Sequence, residues 1–349
     1  MLVALGAVLW LLFLARGVLF PFVIGLALAY LLLPLVRRVE AALPFRESNP
    51  RRSRLLSVAL VYLLFILALV VAGAMLLPLL FRQISRFIST LPDMWGQAQR
   101  VFQAWTIEAR AQLPPEVIAE LEGAAANIVR NLAIAAEEAA VQTVVVVSQT
   151  FSLLLGLITI PVWLFYVLKD RADAAAFFYS LVPPNARTDV AAIASIVDRV
   201  LSNYVRAQLL LGLAVGSVTA LVLSLMGIPF ALVLGVIAGI TELIPVLGPI
   251  LGSIPGIVVT LANEPDKTHW VVLAFIGIQQ LENNLLVPRI QGEAVEIHPA
   301  FIMVLLVVAS EVGGLVGMLV AVPLAAVCKE VFLYLYHRWE PSAVPPGAG

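Results

Sequence analysis

Long apolar tracts without any charged side chain dominate this sequence. Asp, Glu, Lys and Arg are absent from the stretches 17–36, 55–81, 139–168 and 207–241. A helix needs about 20 residues to cross the hydrocarbon core of a bilayer, so each tract is long enough for a membrane span. The pattern therefore predicts a chain built from membrane helices.

Further apolar segments flank these spans. The segment 1–15 is short for a crossing and would pair with 17–36 as a helical hairpin. It has neither a basic start nor a small-residue cleavage site before Arg16, so we expect a retained membrane segment and not a removable signal peptide. Segment 268–287 supplies another span, and 299–336 is longer than one crossing requires.

Arginines in the short loop after the second span orient the predicted bundle. This loop carries Arg37, Arg38, Arg46, Arg51, Arg52 and Arg54. Lys and Arg are enriched in short cytoplasmic loops, so we expect this loop on the cytoplasmic side of a bacterial inner membrane. Counting onward from it predicts a multi-pass protein with both termini in the cytoplasm.

The distribution of charge divides the chain into six regions. They are N-terminal membrane segments with the Arg-rich loop (1–81), an external helical region (82–138), a membrane span (139–168), a cytoplasmic interfacial region (169–206), a C-terminal transport region with broken helices (207–338) and a disordered tail (339–349). In the external region, prolines at Leu91-Pro92 and Leu113-Pro114-Pro115 predict two or three separate amphipathic helices. A stalk or an oligomer contact is a better interpretation of them than a ligand-binding domain.

The amino-acid composition is that of a protein whose surface is surrounded by lipid. Hydrophobic residues make up 62% of the 349 positions and charged residues only 12%, which a water-exposed surface would not tolerate. The formal net charge of -1 points to no partner of either sign. The lone Cys328 excludes a disulfide framework and a thiolate metal cluster, and it is most simply a packing residue.

A cluster of prolines and glycines interrupts the apolar sequence at 239–255. It contains Pro245, Gly248, Pro249, Gly252 and Pro255. Proline removes a helical hydrogen bond, so no continuous unkinked helix is expected here. Because 230–263 is too short for two crossings and a turn, we predict two half-helices that meet as a re-entrant hairpin. Broken backbone at membrane depth is typical of the solute sites of transporters.

Glu242 lies at this break and is the only ionisable residue between Arg206 and Glu264. Placing a carboxylate at membrane depth costs roughly several kcal/mol of free energy unless the group is paired, hydrated or protonated. Coupling of transport to a proton or cation is therefore one hypothesis. The other is that Glu242 caps the N-terminus of a half-helix, and the two do not exclude each other.

Glu311 is a second isolated acid beside weakened backbone. Gly313 and Gly314 follow it, and no other charged residue occurs between Glu296 and Lys329. The segment predicts either a second hairpin that enters from the cytoplasmic side or one long helix with a flexible joint, and we favour the hairpin. Two interrupted segments that each carry an acid are expected when opposing hairpins build one central site.

A polar cluster lies in the apolar span between the two breaks. Gln279, Glu282 and Asn283 share one helical face at positions i, i+3 and i+4. That face is expected to point into the bundle, where it would either line a solute path or hold helices together by hydrogen bonds.

Several kinds of chemistry leave no trace in the sequence. A phosphate-binding Gly-Lys-Ser/Thr loop, a metal-spaced His or Cys cluster and a His-activated nucleophile are all missing. We therefore expect neither an ATP-driven pump nor an enzyme, and no cofactor or metal.

Four motifs spread over the chain resemble the autoinducer-2 exporter (AI-2E) family of bacterial membrane proteins. They are LPLVRR at 33–38, ELIPVLGP at 242–249, ENNLLVPRIQG at 282–292 and the His298-Pro299 pair before the glycine-rich last segment. The resemblance implies about eight membrane segments, re-entrant ones included, and an external helical region. It also implies homo-oligomers such as pentamers and export of small molecules, the autoinducer-2 signal among them.

The resulting hypothesis is an all-α, polytopic secondary transporter of a small solute. In it, Glu242, Glu311 and the polar face at Gln279, Glu282 and Asn283 line a site that a proton or sodium gradient drives. A sodium/proton-type antiporter, in which the carboxylates bind the transported cation itself, is the alternative. A non-transporting scaffold explains less, because a scaffold has no need to bury polar residues at membrane depth.

Overall fold

A computed structural model of the chain describes residues 16–44, 48–109, 123, 150–290 and 297–339. Within these residues every regular element is helical. The predicted first segment at 1–15, the Leu113-Pro114-Pro115 break and the predicted tail beyond Trp339 lie outside the described residues.

The first three described helices form one packed group. Helix α1 spans Arg16–Ala42, α2 spans Pro50–Ala109 and α3 spans Thr150–Ser180. Their shared core consists of apolar side chains that are almost fully buried: Ala29, Leu32, Leu33, Val36, Val58, Val61, Leu164 and Leu168. Side chains three and four residues apart lie on one helical face, so this spacing is that of faces packed against each other.

Helix α2 continues through the position where the sequence predicted a break. It contains 60 residues and passes Pro92 without interruption. The predicted interruption at Leu91-Pro92 is therefore wrong. A proline removes one helical hydrogen bond, and packing on both sides of it offsets that loss: Phe87 and Met94 both contact the core around Leu234 and Val259.

Helices α4 (Arg187–Leu225) and α5 (Ala231–Thr241) approach so closely that only small residues fit between them. A Cβ atom on Gly216 would lie 2.8 Å from the carbonyl oxygen of Gly235, and one on Gly212 would lie 2.6 Å from that of Gly239. Small residues spaced four apart are the usual means of bringing membrane helices into contact. This contact sets the position of the C-terminal end of α5.

Helix α5 and helix α6 (Gly248–Asn263) fold back on each other as a hairpin. Cβ atoms on Gly248 and Gly252 would lie 2.3 Å from the carbonyl oxygen of Thr241 and 2.9 Å from the Cα of Ala238. The tip of the hairpin is the segment between Thr241 and Gly248. This is the fold-back that the proline and glycine cluster predicted.

A 3-10 turn at Pro265–Lys267 leads from α6 into α7 (Thr268–Leu281). A π-helical turn at Glu282–Leu286 follows, and the short helix α8 spans Val287–Ile290. The polar cluster of the sequence therefore lies where the regular α-helix changes to the wider π form.

The last helix, α9 (Pro299–Trp339), is broken at Gly314, whose φ of 57° and ψ of -142° are not helical. A Cβ atom on Gly317 would lie 2.2 Å from the carbonyl oxygen of Ala309, a distance that a straight helix does not allow. The two arms, Pro299–Gly314 and Val316–Arg338, thus form a second hairpin. Ile244 at the tip of the first hairpin packs into the core of the second.

The charged ends of the helices gather at one end of the bundle. Arg54 binds Glu40 at 2.9 Å and also donates to the carbonyl oxygen of Leu168 at 2.8 Å. Arg338 pairs with Asp189, which also accepts a 3.0 Å hydrogen bond from Tyr334. Arg171 of α3 also pairs with Asp198 of α4, which joins two of the segments that are predicted to face the cytoplasm.

The surface is that of a protein in lipid. Among the residues that the structure describes, four helical stretches are long and apolar enough to cross a membrane: Pro50–Thr90, Pro184–Leu225, Pro265–Ile290 and Val316–Arg338. Large apolar side chains along them are open to the surroundings, including Met75 and Leu225 at 73% and 79% exposure. The predicted all-α membrane bundle is confirmed, and the number of eight membrane segments stays a prediction.

Candidate functional site

Glu242 ends helix α5 at the tip of the first hairpin. Its side chain is buried, with 3% of the residue exposed, and its Oε2 atom has no hydrogen-bond partner in the part of the chain that the structure describes. Helix α6 begins further on, and Leu247 occupies its N-cap without a capping side chain. The alternative that Glu242 caps a half-helix N-terminus is wrong, because the residue stands at a C-terminal end, where a carboxylate is not stabilised by the helix dipole.

Glu282 meets Glu242 inside the bundle. It is the first residue of the π-helical turn, it is 5% exposed, and its Oε2 atom also lacks a partner. The two side chains line the same space inside the bundle, and their carboxyl groups are close enough to interact electrostatically. A π-helical turn widens the helix locally and is frequent at functional sites. We call Glu242 and Glu282 the acidic pair.

Gln208 of α4 holds the backbone beneath this pair. Its amide Nε2 donates to the carbonyl oxygen of Glu242, and the residue is 5% exposed. The end of a helix leaves carbonyl groups without intrahelical donors, and this amide satisfies one of them. Gln208 is the only amide side chain in the uncharged tract 207–241, and this isolation is the signal by which the sequence could have identified it.

Two cavities meet at the acidic pair. The first, cavity A, has a volume of about 220 Å³ and extends along α4 past Val215 and Thr219. The second, cavity B, has a volume of about 450 Å³ and contacts α4 at Gln208 and Leu211. Five residues line both cavities: Glu242, Pro249, Ile250, Gln279 and Glu282. The acidic pair is therefore part of the wall between them.

The two cavities follow one another along the helices. From Leu211 to Val215 the chain advances about 6 Å along α4, at 1.5 Å per residue. On α7 and the turn after it, cavity A contacts Phe275 and cavity B contacts Asn283. They therefore lie in series along the bundle, with the acidic pair at their junction.

Cavity A contains polar oxygens without partners. The hydroxyl of Thr219 is completely buried and makes no hydrogen bond, like the Oε2 atoms of Glu242 and Glu282. A buried polar group without a partner costs about 1–3 kcal/mol. An occupant that donates hydrogen bonds or carries positive charge would remove this cost, so the arrangement suits water, a proton carrier or a small cation.

Backbone geometry at the hairpin tip is unusual. Val246 adopts a φ of 68°, which a β-branched residue rarely does, and its side chain lines cavity B. Gly248 must be a glycine for a different reason: a Cβ atom there would lie 2.3 Å from the carbonyl oxygen of Thr241. Pro245 and Pro249 flank these two positions.

The other residues of the predicted polar face are divided between the cavities and the surface. Gln279 lines both cavities, and its amide donates to Oδ1 of Asn283 at 3.3 Å. Asn283 lines cavity B but is otherwise exposed. On the outer side of the same helix, Asn284 donates to Gln280 at 3.1 Å, so these exposed amides satisfy each other.

Glu311 does not join the acidic pair. It is exposed, it lies just before the bend at Gly313 and Gly314, and it lines neither cavity. The first hairpin instead contacts the second through Ile244, away from this bend. A single site built from Glu242 and Glu311 is thus not formed within this chain, and a transport role for Glu311 stays a prediction.

Comparisons with known proteins identify the family of this chain. A family model described as AI-2E family transporter matches residues 1–337. YueF of Bacillus subtilis strain 168, whose name describes a transport protein, is 32% identical over 322 residues, which cover 90% of this chain and 83% of YueF. PerM of Escherichia coli K12, whose name describes a permease, is 30% identical over 354 residues, which cover 99% of this chain and 94% of PerM. This chain is therefore an integral membrane protein that belongs to the AI-2E family of transporters.

Proposed function

We propose that this protein is a secondary transporter that exports a small solute and that the acidic pair couples export to an ion gradient. One observation supports the proposal above the others: the pair lies at the junction of two cavities that follow one another through the bundle. A group that faces both cavities can exchange an ion with each of them in turn.

Proton coupling follows from the chemistry of two adjacent carboxyl groups. Two ionised carboxylates repel each other, and they can hydrogen-bond only when they share a proton. Glu242 and Glu282 are both buried, so bulk water screens this repulsion only weakly. We propose that the pair holds one proton at rest and that a second proton enters from one cavity and leaves by the other.

Cavity B is the better candidate for the solute. Its volume of about 450 Å³ lies in the range of small-molecule sites, whereas cavity A, at about 220 Å³, lies below it. The wall of cavity B includes the amides of Gln208, Gln279 and Asn283, which offer both donors and acceptors to a polar solute. A small hydroxylated signal such as autoinducer-2 fits this chemistry.

A sodium/proton-type antiporter is the second candidate. Unpartnered oxygens of Thr219, Glu242 and Glu282 face one region, and hard cations prefer such oxygen ligands. In this alternative a sodium ion and a proton compete for the acidic pair, and no organic solute is needed.

Flux measurements in proteoliposomes test the proposal and separate the two candidates. The purified chain, its Glu242→Gln and Glu282→Gln variants and a Glu264→Gln control are reconstituted under an imposed pH gradient. Glu264 is a matched control, because it lies in a loop and its ion pair with Lys267 is half-exposed. Internal pH is followed with a trapped dye, first with autoinducer-2 and then with sodium alone.

We expect the native chain to show proton flux that depends on the solute. This flux should fall at least about tenfold in both pair variants and stay at the wild-type level in the control. Proton flux with sodium alone would favour the antiporter. Equal flux in the native chain and both pair variants would contradict a coupling role for the acidic pair.

A further inference from the structure

A third, larger cavity lies at the charged end of the bundle, away from the acidic pair. It has a volume of about 930 Å³, and we call it the basic cavity. Three separate parts of the sequence line it: the end of α1, the start of α2 and the second half of α3. The lining residues that carry charge are Arg37, Glu40, Arg51, Arg52, Arg54, Lys169, Asp170, Arg171 and Asp173.

The positive charge of this cavity is only partly neutralised. Arg54 pairs with Glu40 at 2.9 Å, and Lys169 pairs with Asp170 at 3.3 Å. Arg171 pairs with Asp198, which lies on α4. For Arg37, Arg51 and Arg52, the part of the chain that the structure describes provides no ion pair.

The location of the cavity favours an anion that is attached to a membrane. Leu33 and Leu55 line the cavity beside the arginines. Exposed leucines continue from it along α2 toward the middle of the apolar span, with Leu56 and Leu60 at 51% and 48% exposure. A ligand with a charged head in the cavity would thus find an apolar surface for its tail.

The general tendency of basic residues to lie in cytoplasmic loops does not explain this arrangement by itself. That tendency requires only that the residues occur in the loops, and not that they converge. Here the fold brings Arg37, Arg51 and Arg52 to one cavity together with Lys169 from a helix distant in sequence. Basic pockets between membrane helices are known to bind the headgroups of anionic lipids.

We propose that the basic cavity binds the phosphate headgroup of an anionic phospholipid, with Arg37, Arg51 and Arg52 as the phosphate ligands and the leucine surface of α2 as the contact for an acyl chain. Arginine suits this role, because its planar guanidinium donates paired hydrogen bonds to phosphate oxygens. The proposal concerns a lipid site and is independent of the transported solute.

Native mass spectrometry of the full chain tests the proposal. The detergent-purified protein is mixed with equal amounts of phosphatidylglycerol and phosphatidylcholine that carry identical acyl chains, and the bound lipids are counted. The test variant is R37Q/R51Q/R52Q. The matched control is R82Q/R86Q/R100Q, which removes three exposed arginines from the far part of the same helix α2.

We expect the native chain and the control to prefer phosphatidylglycerol and the test variant to lose that preference. An arginine near a membrane surface changes the affinity for anionic lipid about fivefold, so three arginines change it about a hundredfold. An unchanged preference in the test variant, or an equal loss in the control, would overturn the proposal.

Two further measurements distinguish a lipid site from a site for free phosphate and allow for a triple variant that does not fold. Inorganic phosphate, compared with chloride at the same ionic strength, is added as a competitor. Retention of phosphatidylglycerol supports a lipid site, whereas displacement by phosphate alone would show a site for the free anion and overturn the proposal. If the triple variant does not fold, the single variants are each expected to weaken the preference about fivefold.

Discussion

Lys267 donates a 3.2 Å hydrogen bond from Nζ to the carbonyl oxygen of Met226. Met226 follows helix α4 and precedes the first hairpin, and Lys267 follows that hairpin. The contact therefore joins the two ends of the α5–α6 hairpin. We therefore predict that this segment enters and leaves the membrane on the same side.

Cysteine labelling checks this arrangement. We start from Cys328→Ala, because the single native cysteine is exposed, and add Ser224→Cys, Asp266→Cys or Asn185→Cys. A membrane-impermeant maleimide is expected to label positions 224 and 266 from one side and position 185 from the other. Labelling of positions 224 and 266 from opposite sides would refute the re-entrant hairpin.

The acidic pair should behave as a unit in transport. Because Glu242 and Glu282 share one interaction, replacing either one by glutamine removes it, and replacing the second removes little more. We expect each single variant to lower gradient-driven flux at least about tenfold. The double variant is expected to lose no more flux than the more impaired of the two single variants. Proteoliposome flux in a double-mutant cycle measures this, and additive losses would indicate two independent carboxylates.

Gln208 should matter for stability as well as for the site. Its amide satisfies the carbonyl oxygen of Glu242, so Gln208→Ala leaves a buried acceptor without that donor. We expect a loss of about 1–3 kcal/mol in the free energy of unfolding. The control is Gln280→Ala, which removes an exposed amide that is hydrogen-bonded to Asn284. Its free energy of unfolding, obtained from thermal unfolding in detergent, should stay within about 0.5 kcal/mol of that of the native chain.

The second hairpin permits a sharp comparison between neighbouring glycines. A Cβ atom on Gly317 would lie 2.2 Å from the carbonyl oxygen of Ala309, whereas one on Gly313 meets nothing within 4 Å. Gly317→Ala is therefore expected to push the two arms apart and cost about 1–3 kcal/mol. Gly313→Ala should be nearly neutral in the same thermal unfolding measurement, and equal effects would mean that the arms do not pack as described.

The fold-back at 242–248 could be predicted from sequence, because prolines and glycines act on their own stretch of backbone. The contact between Glu242 and Glu282 could not be predicted in the same way. It depends on the glycine contact that draws α5 against α4 and on a π-helical turn that alters the spacing of side chains after Leu281. Glu311 resembled Glu242 in sequence, and nothing local distinguished the buried acid from the exposed one.

Prolines were informative in one place and misleading in another. At Pro245 and Pro249, neighbouring glycines permit the tight approach of α6 to α5, and the helix ends. At Pro92, apolar residues on both sides pack against the same core, and the helix continues. The effect of a proline is thus decided by the packing around it, and the sequence pattern alone does not contain that information.

Val246 holds the backbone at the hairpin tip in a strained conformation. A bulky residue held at positive φ stores about 1–3 kcal/mol of strain in the backbone. A rearrangement that returns Val246 to ordinary dihedral angles recovers this energy, so the turn can change shape at lower cost than the helices on either side. Since Val246 lines cavity B, the wall of the proposed solute site includes this strained turn.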